Sequence, residues 1–219
     1  MLRFKSLTLL GTSHIATQSI LEVKEAIQRL RPELVAIELD RGRLHALFHP
    51  DEKGISWRDI RRVGIKGYLF ALLGAWAERK LGKVVGTKPG DEMRAAVVEA
   101  RSRGIPLALI DQPIDITLRR LTSSLTWREK FRFVWDTVKS AFGRDALPFD
   151  LHTVPSEAVV RKLTGQVKKR YPNVYRVLIS ERNEFMAARL ARVVMLEPEK
   201  SVLAIVGAGH EREIAELVR

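Results

Sequence analysis

The chain has no cysteine. Disulfides, thiolate metal ligands and a cysteine nucleophile are therefore excluded, and a cytoplasmic setting is in keeping with that lack. It has no long apolar run either. The longest, Tyr68 to Ala77, falls far short of the roughly 20 residues needed to cross a bilayer. Met1-Leu2-Arg3-Phe4-Lys5 contains neither an apolar core segment nor a small-residue cleavage site, so no secretory signal is expected. Nothing rich in Gly and Ser or in Pro marks a linker. The expectation is one domain over residues 1–219, with 46% hydrophobic content to build its core. A helical pattern runs right up to Arg219, which leaves room for a following segment.

What the chain has in excess is positive charge, +12 formally, with a pI near 10.3. Such a balance attracts nucleic acid, anionic lipid or an acidic partner. The basic residues are scattered, however: Arg58, Arg61 and Arg62, then Arg128, Lys130 and Arg132, then Lys168 to Arg170, with acidic residues among them. That dispersion points to a solvated surface and makes nucleic acid an unlikely partner. A basic nucleic-acid or membrane-surface module stays as the lesser alternative. Trp57, Trp76, Trp127 and Trp135 are expected to pack helix against helix rather than stack on bases.

Hydrophobic periodicity predicts an α/β fold, rich in helix, with short and mainly parallel strands. Leu7–Leu10 reads as a buried strand. Ser19 and Glu22 form a capping box, opening a helix to Leu30 whose apolar face is Ile20, Val23, Ile27 and Leu30. Leu34–Ile37 is a second strand, so a βαβ unit with parallel strands is expected. Arg41–Phe48 reads as a short helix, and Trp57–Lys80 as a long one. The nearly all-apolar stretch Tyr68–Trp76 suggests a buried helix, with a homodimer interface as the alternative. A helix over Pro89–Arg103 closes at Gly104. Leu107–Ile110 is a third strand. Thr126 and Glu129 form a second capping box, Ser156 caps a helix to about Arg170, and Pro172 opens one that runs past Arg182 to about Val194. Val202–Val206 is the last strand, and a terminal helix follows.

Two local patterns match. Leu9-Leu10-Gly11-Thr12-Ser13-His14 and Ile205-Val206-Gly207-Ala208-Gly209-His210 each run from an apolar strand through a glycine and small residues to a histidine. Ligands of parallel α/β sheets sit beyond the carboxyl ends of the strands. His14, Glu38, Asp111 and His210 all follow apolar strands at that end, so they converge if those strands are neighbours. Two imidazoles and a carboxylate make a common divalent-metal set (His14, Glu38 and His210), and each group is also a candidate acid or base. Taken singly, a histidine after a strand is more often a hydrogen-bonded structural residue.

Gly11-Thr12-Ser13-His14, Ile37-Glu38-Leu39-Asp40 with Arg43, Gly90-Asp91-Glu92-Met93, Ile110-Asp111 with Thr117-Leu118, Glu181-Arg182 with Met186, and Gly207-Ala208-Gly209-His210 occur in one order over almost the whole chain. Together they resemble the TraB/PrgY pheromone-shutdown family. Its superfamily includes Tiki metalloproteases, erythromycin esterases and ChaN-like proteins. The resemblance implies a shared α/β fold with two GxxH motifs lining one site, and functional roles for His14, Glu38, Arg182 and His210. It also implies a peptide substrate or ligand. Archaeal members continue into membrane-spanning segments that this sequence lacks, so membrane association is expected only where such segments follow.

The mechanism expected from this is metal-dependent hydrolysis of a peptide. His14, His210 and Glu38 hold a divalent ion (Mn, Co, Zn or Fe), and the ion's bound water attacks a carbonyl. Glu38 takes the proton if it is not a ligand, and Arg182 stabilises the oxyanion or grips a substrate carboxylate. The bland alternative for Arg182 is a surface ion pair with Glu181 or Glu184. The alternative function is a binding protein of the pheromone-shutdown type that sequesters a peptide uncut; His14 as a metal-free base is a further variant. Asp40, Arg43, Glu92 and Asp111 are expected to support the site rather than react.

Other signals are weaker. His45 and His49 are four apart, but Ala46 stands where HExxH needs glutamate. His152 has no evident partner. Gly207-x-Gly209 lacks the third glycine of a dinucleotide fingerprint, Gly82–Thr87 lacks a P-loop lysine, and Ile15 stands where a GxSxG elbow around Ser13 needs glycine.

Overall fold

A computed structural model describes residues 1–12, 17–49, 90–129, 131–132, 135 and 157–219. The expectations for Ser13, His14, Trp57, the Tyr68–Trp76 stretch, Trp76, Gly82–Thr87, His152 and Ser156 lie outside these residues. Elements in chain order are β1 (Leu2–Phe4), β2 (Leu7–Thr12), α1 (Thr17–Leu30), β3 (Leu34–Ile37), α2 (Arg41–Phe48), α3 (Asp91–Ser102), β4 (Leu107–Leu109), α4 (Ile114–Ser124), α5 (Glu157–Arg170), α6 (Pro172–Tyr175), a π-helical turn (Arg176–Ser180), α7 (Glu181–Leu196), β5 (Val202–Gly207) and α8 (Ala208–Val218).

The sheet has five strands in the order β1-β2-β5-β3-β4. β1 is antiparallel to β2, and every other pairing is parallel. The period-2 geometry of a strand splits the core in two. Leu10, Val35, Ile37, Leu203 and Ile205 pack on one face with Val23 and Ile27 of α1 and Met93, Ala96, Val97 and Ala100 of α3. Leu7, Leu9, Ala36, Ala204 and Val206 pack on the other with Met186 and Leu190 of α7 and Ile214 of α8. All six residues of β5 are buried, as a central parallel strand covered on both faces requires.

Some features depart from the sequence pattern. The strand Leu2–Phe4 carries no periodic signal, because Arg3 and Lys5 interrupt any apolar pattern. It forms only as an edge strand on β2, with Lys5 in the left-handed region to close the turn. Helix α1 begins at Thr17, so Ser19 lies buried in its first turn instead of capping it. β2 and β3 are parallel as expected, and β5, pairing with both, lies between them.

Local signals elsewhere had their predicted effect. Thr126 and Glu129 form the expected capping box: the Thr126 hydroxyl accepts from Glu129 N at 3.3 Å, and Glu129 Oε2 accepts from Thr126 N at 3.1 Å. The same carboxylate accepts from Asn173 N at 2.8 Å and so ties this segment to α6. Gly104 takes φ +67° at the end of α3, with Ile105 N bonded to Ala100 O and Gly104 N to Arg101 O, a Schellman closure. Trp127 and Trp135, expected to pack between helices, are instead 72% and 70% exposed, with Phe131 between them at 71%. Among the described residues, no helix is long and apolar enough to cross a membrane.

Candidate functional site

Because β5 lies between β2 and β3, and β4 borders β3, the carboxyl ends of four parallel strands form one ledge. Glu38 is the first residue beyond β3, and its N–H still bonds to Ile205 O of β5 at 3.1 Å. Asp111 lies two residues past β4, with its side chain wholly buried. His210 stands in the first turn of α8, three residues after the end of β5. Arg182 reaches the ledge from above, from the first turn of α7.

Arg182 organises the group. Its Nη2 donates to Glu38 Oε1 and, at 2.5 Å, to Asp111 Oδ2. Its Nε donates to Asp111 Oδ1 at 3.1 Å. Its Nη1 donates to Leu178 O at 3.2 Å and lies 3.3 Å from His210 Nε2. A guanidinium carries five N–H donors, and these contacts occupy every one. A π-helical turn, marked by Glu181 N bonded to Arg176 O, immediately precedes the helix that carries Arg182. Val177 anchors that turn in a small cluster with Leu121 and Leu125. π-turns of this kind recur at functional sites.

The other oxygen of Glu38 accepts from Gly207 N at 2.6 Å, which joins β3 to the end of β5. His210 Nε2 lies 3.5 Å from Glu38 Oε1. On its far side, His210 Nδ1 lies 2.6 Å from Asn183 Oδ1. The network continues outward. Arg43 Nη2 donates to Asp111 Oδ2, and its Nε to Asp40 Oδ2 at 2.7 Å. Asp40 caps α2, its Oδ1 accepting from Gly42 N at 2.7 Å and Arg43 N at 3.1 Å.

These contacts govern the charges. Burial pushes the Asp111 carboxyl up, but the hydrogen bonds and charge of Arg182, joined by Arg43, outweigh it and hold the group below its ordinary range. Burial likewise works against the Arg182 cation, yet Asp111 and Glu38 raise its pKa well above the ordinary arginine value. Among the described residues, three carboxylates (Glu38, Asp40, Asp111) thus face two guanidiniums (Arg43, Arg182) in this network.

Of the residues singled out from the sequence, Glu38, Arg182 and His210 meet here, and His14 lies outside the described residues. Arg182 does not pair with Glu181, which faces Arg120 instead at 2.7 Å. Asp111, Asp40 and Arg43, expected in support, are direct members of the network. Glu92 is buried in the first turn of α3. The His45 and His49 rings stack 4.3 Å apart, and His49 Nδ1 turns to His45 O. Asn183 and the Gly207 N–H were missed. Asn183 follows Arg182 directly and is wholly buried, but no local pattern in the sequence marks it.

The sequence matches the TraB/PrgY/gumN family over residues 3–218. It is 34% identical to an uncharacterized protein of Methanocaldococcus jannaschii over 96% of this chain and 53% of that protein. It is 24% identical to the human TraB domain-containing protein over 91% of this chain and 59% of the relative, and 26% identical to the bovine one with the same coverage. The chain therefore spans between half and three-fifths of the length of these relatives. The chain belongs to the TraB/PrgY/gumN family.

Proposed function

We propose that this site hydrolyses a peptide bond, with His210 as the base. The observation that carries the reading is the pairing of His210 Nε2 with Glu38 Oε1 at 3.5 Å, at the carboxyl ends of neighbouring parallel strands. The Nε2 lone pair, which accepts from Arg182 Nη1 at 3.3 Å in the resting site, exchanges that contact for a water and takes its proton as the water oxygen attacks the carbonyl carbon. The Glu38 carboxylate offsets the charge that forms on the imidazole. The same proton then passes to the leaving nitrogen as the C–N bond breaks. Arg182 does not touch the substrate in this scheme. With all five N–H groups committed to protein acceptors, it positions Glu38, His210 and Asp111.

A divalent ion tests poorly against these residues. Glu38 and His210 offer two donors, but the Arg182 guanidinium already contacts both, and a second cation there would meet its repulsion. No cluster of three His, Asp or Glu able to hold a metal occurs among the described residues. A ligand set of the kind expected from the sequence depends on His14, which lies outside the described residues. The second reading, sequestration of a peptide without cleavage, is favoured by Arg182 itself, because a fully committed guanidinium offers nothing to an oxyanion.

The test is elemental analysis of protein purified without chelator, beside His14→Ala and His210→Ala, with mass spectrometry of a mixed peptide library. Cleavage lost in His210→Ala, with no bound metal in the parent, supports the reading. Stoichiometric metal lost in both variants overturns the metal-free scheme in favour of a metallohydrolase. Peptides retained intact by the parent overturn hydrolysis in favour of sequestration.

A further inference from the structure

We propose that Glu213 and Asn183 dictate which nitrogen of His210 carries the proton, fixing it on Nδ1 and leaving the Nε2 lone pair on the side of Arg182 Nη1. The proposal rests on the reading of His210 as the base, but its readout needs no activity.

The relay runs inward from Glu213. A carboxylate only accepts hydrogen bonds, and Glu213 Oε2 lies 2.7 Å from Asn183 Nδ2. The amide therefore turns its NH2 toward Glu213. Tyr175 agrees, since its hydroxyl donates to the same oxygen at 3.4 Å. With its nitrogen committed, Asn183 has only its carbonyl oxygen to offer His210 Nδ1, at 2.6 Å. An amide oxygen cannot donate, so Nδ1 must bear the hydrogen, and in the neutral ring Nε2 is left with the lone pair. On the opposite side of the ring the Arg182 Nη1 donor lies 3.3 Å from Nε2, nearer than the Glu38 Oε1 acceptor at 3.5 Å, and so accommodates a bare Nε2 without itself deciding the tautomer.

Sequence spacing builds this relay from two helices. Asn183 is the neighbour of Arg182 on α7, and Glu213 sits one turn after His210 on α8, where positions three apart share a face. Asn183 is wholly buried, so water cannot substitute for either partner. The consequence is chemical. A neutral imidazole by itself prefers the proton on Nε2, the tautomer that would present a donor to Glu38 instead of a base. The relay inverts that preference and orients the ring, as outer partners of reactive histidines do. Asn183 and Glu213 are thus positioning residues.

The experiment is nitrogen-15 NMR of the imidazoles in the full chain at pH 8, with the His210 signals identified among the five histidines by their loss in His210→Gln. In the parent, the shifts should mark Nδ1 as protonated and Nε2 as bare. Asn183→Leu removes the acceptor at similar volume and should return the ring to mainly Nε2–H. Glu213→Gln, a milder change, lets the Asn183 amide turn either way and should give a mixture. A parent ring protonated on Nε2, or a tautomer unmoved in folded Glu213→Gln, would overturn the proposal. If the tautomers behave as stated while no peptide is cut, the relay stands and the hydrolase reading falls.

Discussion

Replacing Arg182 with Met removes a buried guanidinium while keeping much of its bulk, and tests whether that cation holds the ledge together. Its side chain is 15% exposed, against 5% for Glu38 and none for Asp111. Unit charges about 4 Å apart attract by about 4 kcal/mol at an effective dielectric of about 20. Deleting one member of a buried pair typically costs about 3–5 kcal/mol, because the remaining charge is left without compensation. Two carboxylates are orphaned here, but each keeps a donor: Glu38 retains the Gly207 N–H, and Asp111 retains Arg43. The expected loss is therefore about 3–5 kcal/mol, a large share of the 5–15 kcal/mol that typically holds a domain together. At this chain length it corresponds to a fall of roughly 6–20 °C in Tm. Urea denaturation followed by circular dichroism would measure it. The signature that separates charge from packing is pH. Without Arg182, the two carboxylates favour their protonated forms in the folded state. The gap between variant and parent should then narrow from pH 7 to pH 5, and should shrink further in Arg182→Met combined with Glu38→Gln. A loss under about 1 kcal/mol, or a gap that ignores pH, would refute the view that the guanidinium compensates buried charge.

Three further outcomes follow from the same geometry. A Cβ on Gly11 would lie 2.4 Å from Glu211 Oε2 and 3.2 Å from its Cβ, so Gly11→Ala should cost about 1–3 kcal/mol, and Glu211→Ala in the same chain should recover most of that in thermal unfolding. Asp40→Ala removes the cap of α2, worth about 0.5–2 kcal/mol, together with the Arg43 ion pair; Asp40→Asn keeps a capping oxygen and should cost measurably less on the same denaturation curve. Because the folded Asp111 carboxyl is held below its ordinary 3.8, the stability it contributes is complete above that value and drains away as pH falls through its folded pKa. Asp111→Asn should therefore be less stable than the parent at pH 7, and the difference should diminish by pH 2 in an acid-unfolding series.

Much of this protein was legible one residue at a time. Apolar runs located β2, β3 and β5 because burial on both faces leaves a sheet strand little choice of side chain, and the half-buried edge strand β4 by its short apolar run alone. Thr126 with Glu129 and the glycine at 104 announced helix ends, because capping is chemistry between neighbours in the chain. Glu38 and His210 stood out for a related reason: one directly follows a strand and the other comes three residues after one, where parallel sheets place their sites. What the sequence could not convey is which strands adjoin and which way a helical side chain turns. The insertion of β5 between β2 and β3 is a long-range choice that no local pattern encodes, and it alone brings Glu38, the Gly207 N–H and His210 within reach of one another. Arg182 read equally well as a surface partner of Glu181 until packing turned it inward between two carboxylates. Asn183 and Glu213 gave no local sign of their relay, because hydrogen bonds between two helices depend on how those helices dock. The chain's own pattern thus determined the elements and where their reactive ends lie, while tertiary packing decided the neighbours, since charge compensation and hydrogen-bond direction are properties of pairs that meet only after folding.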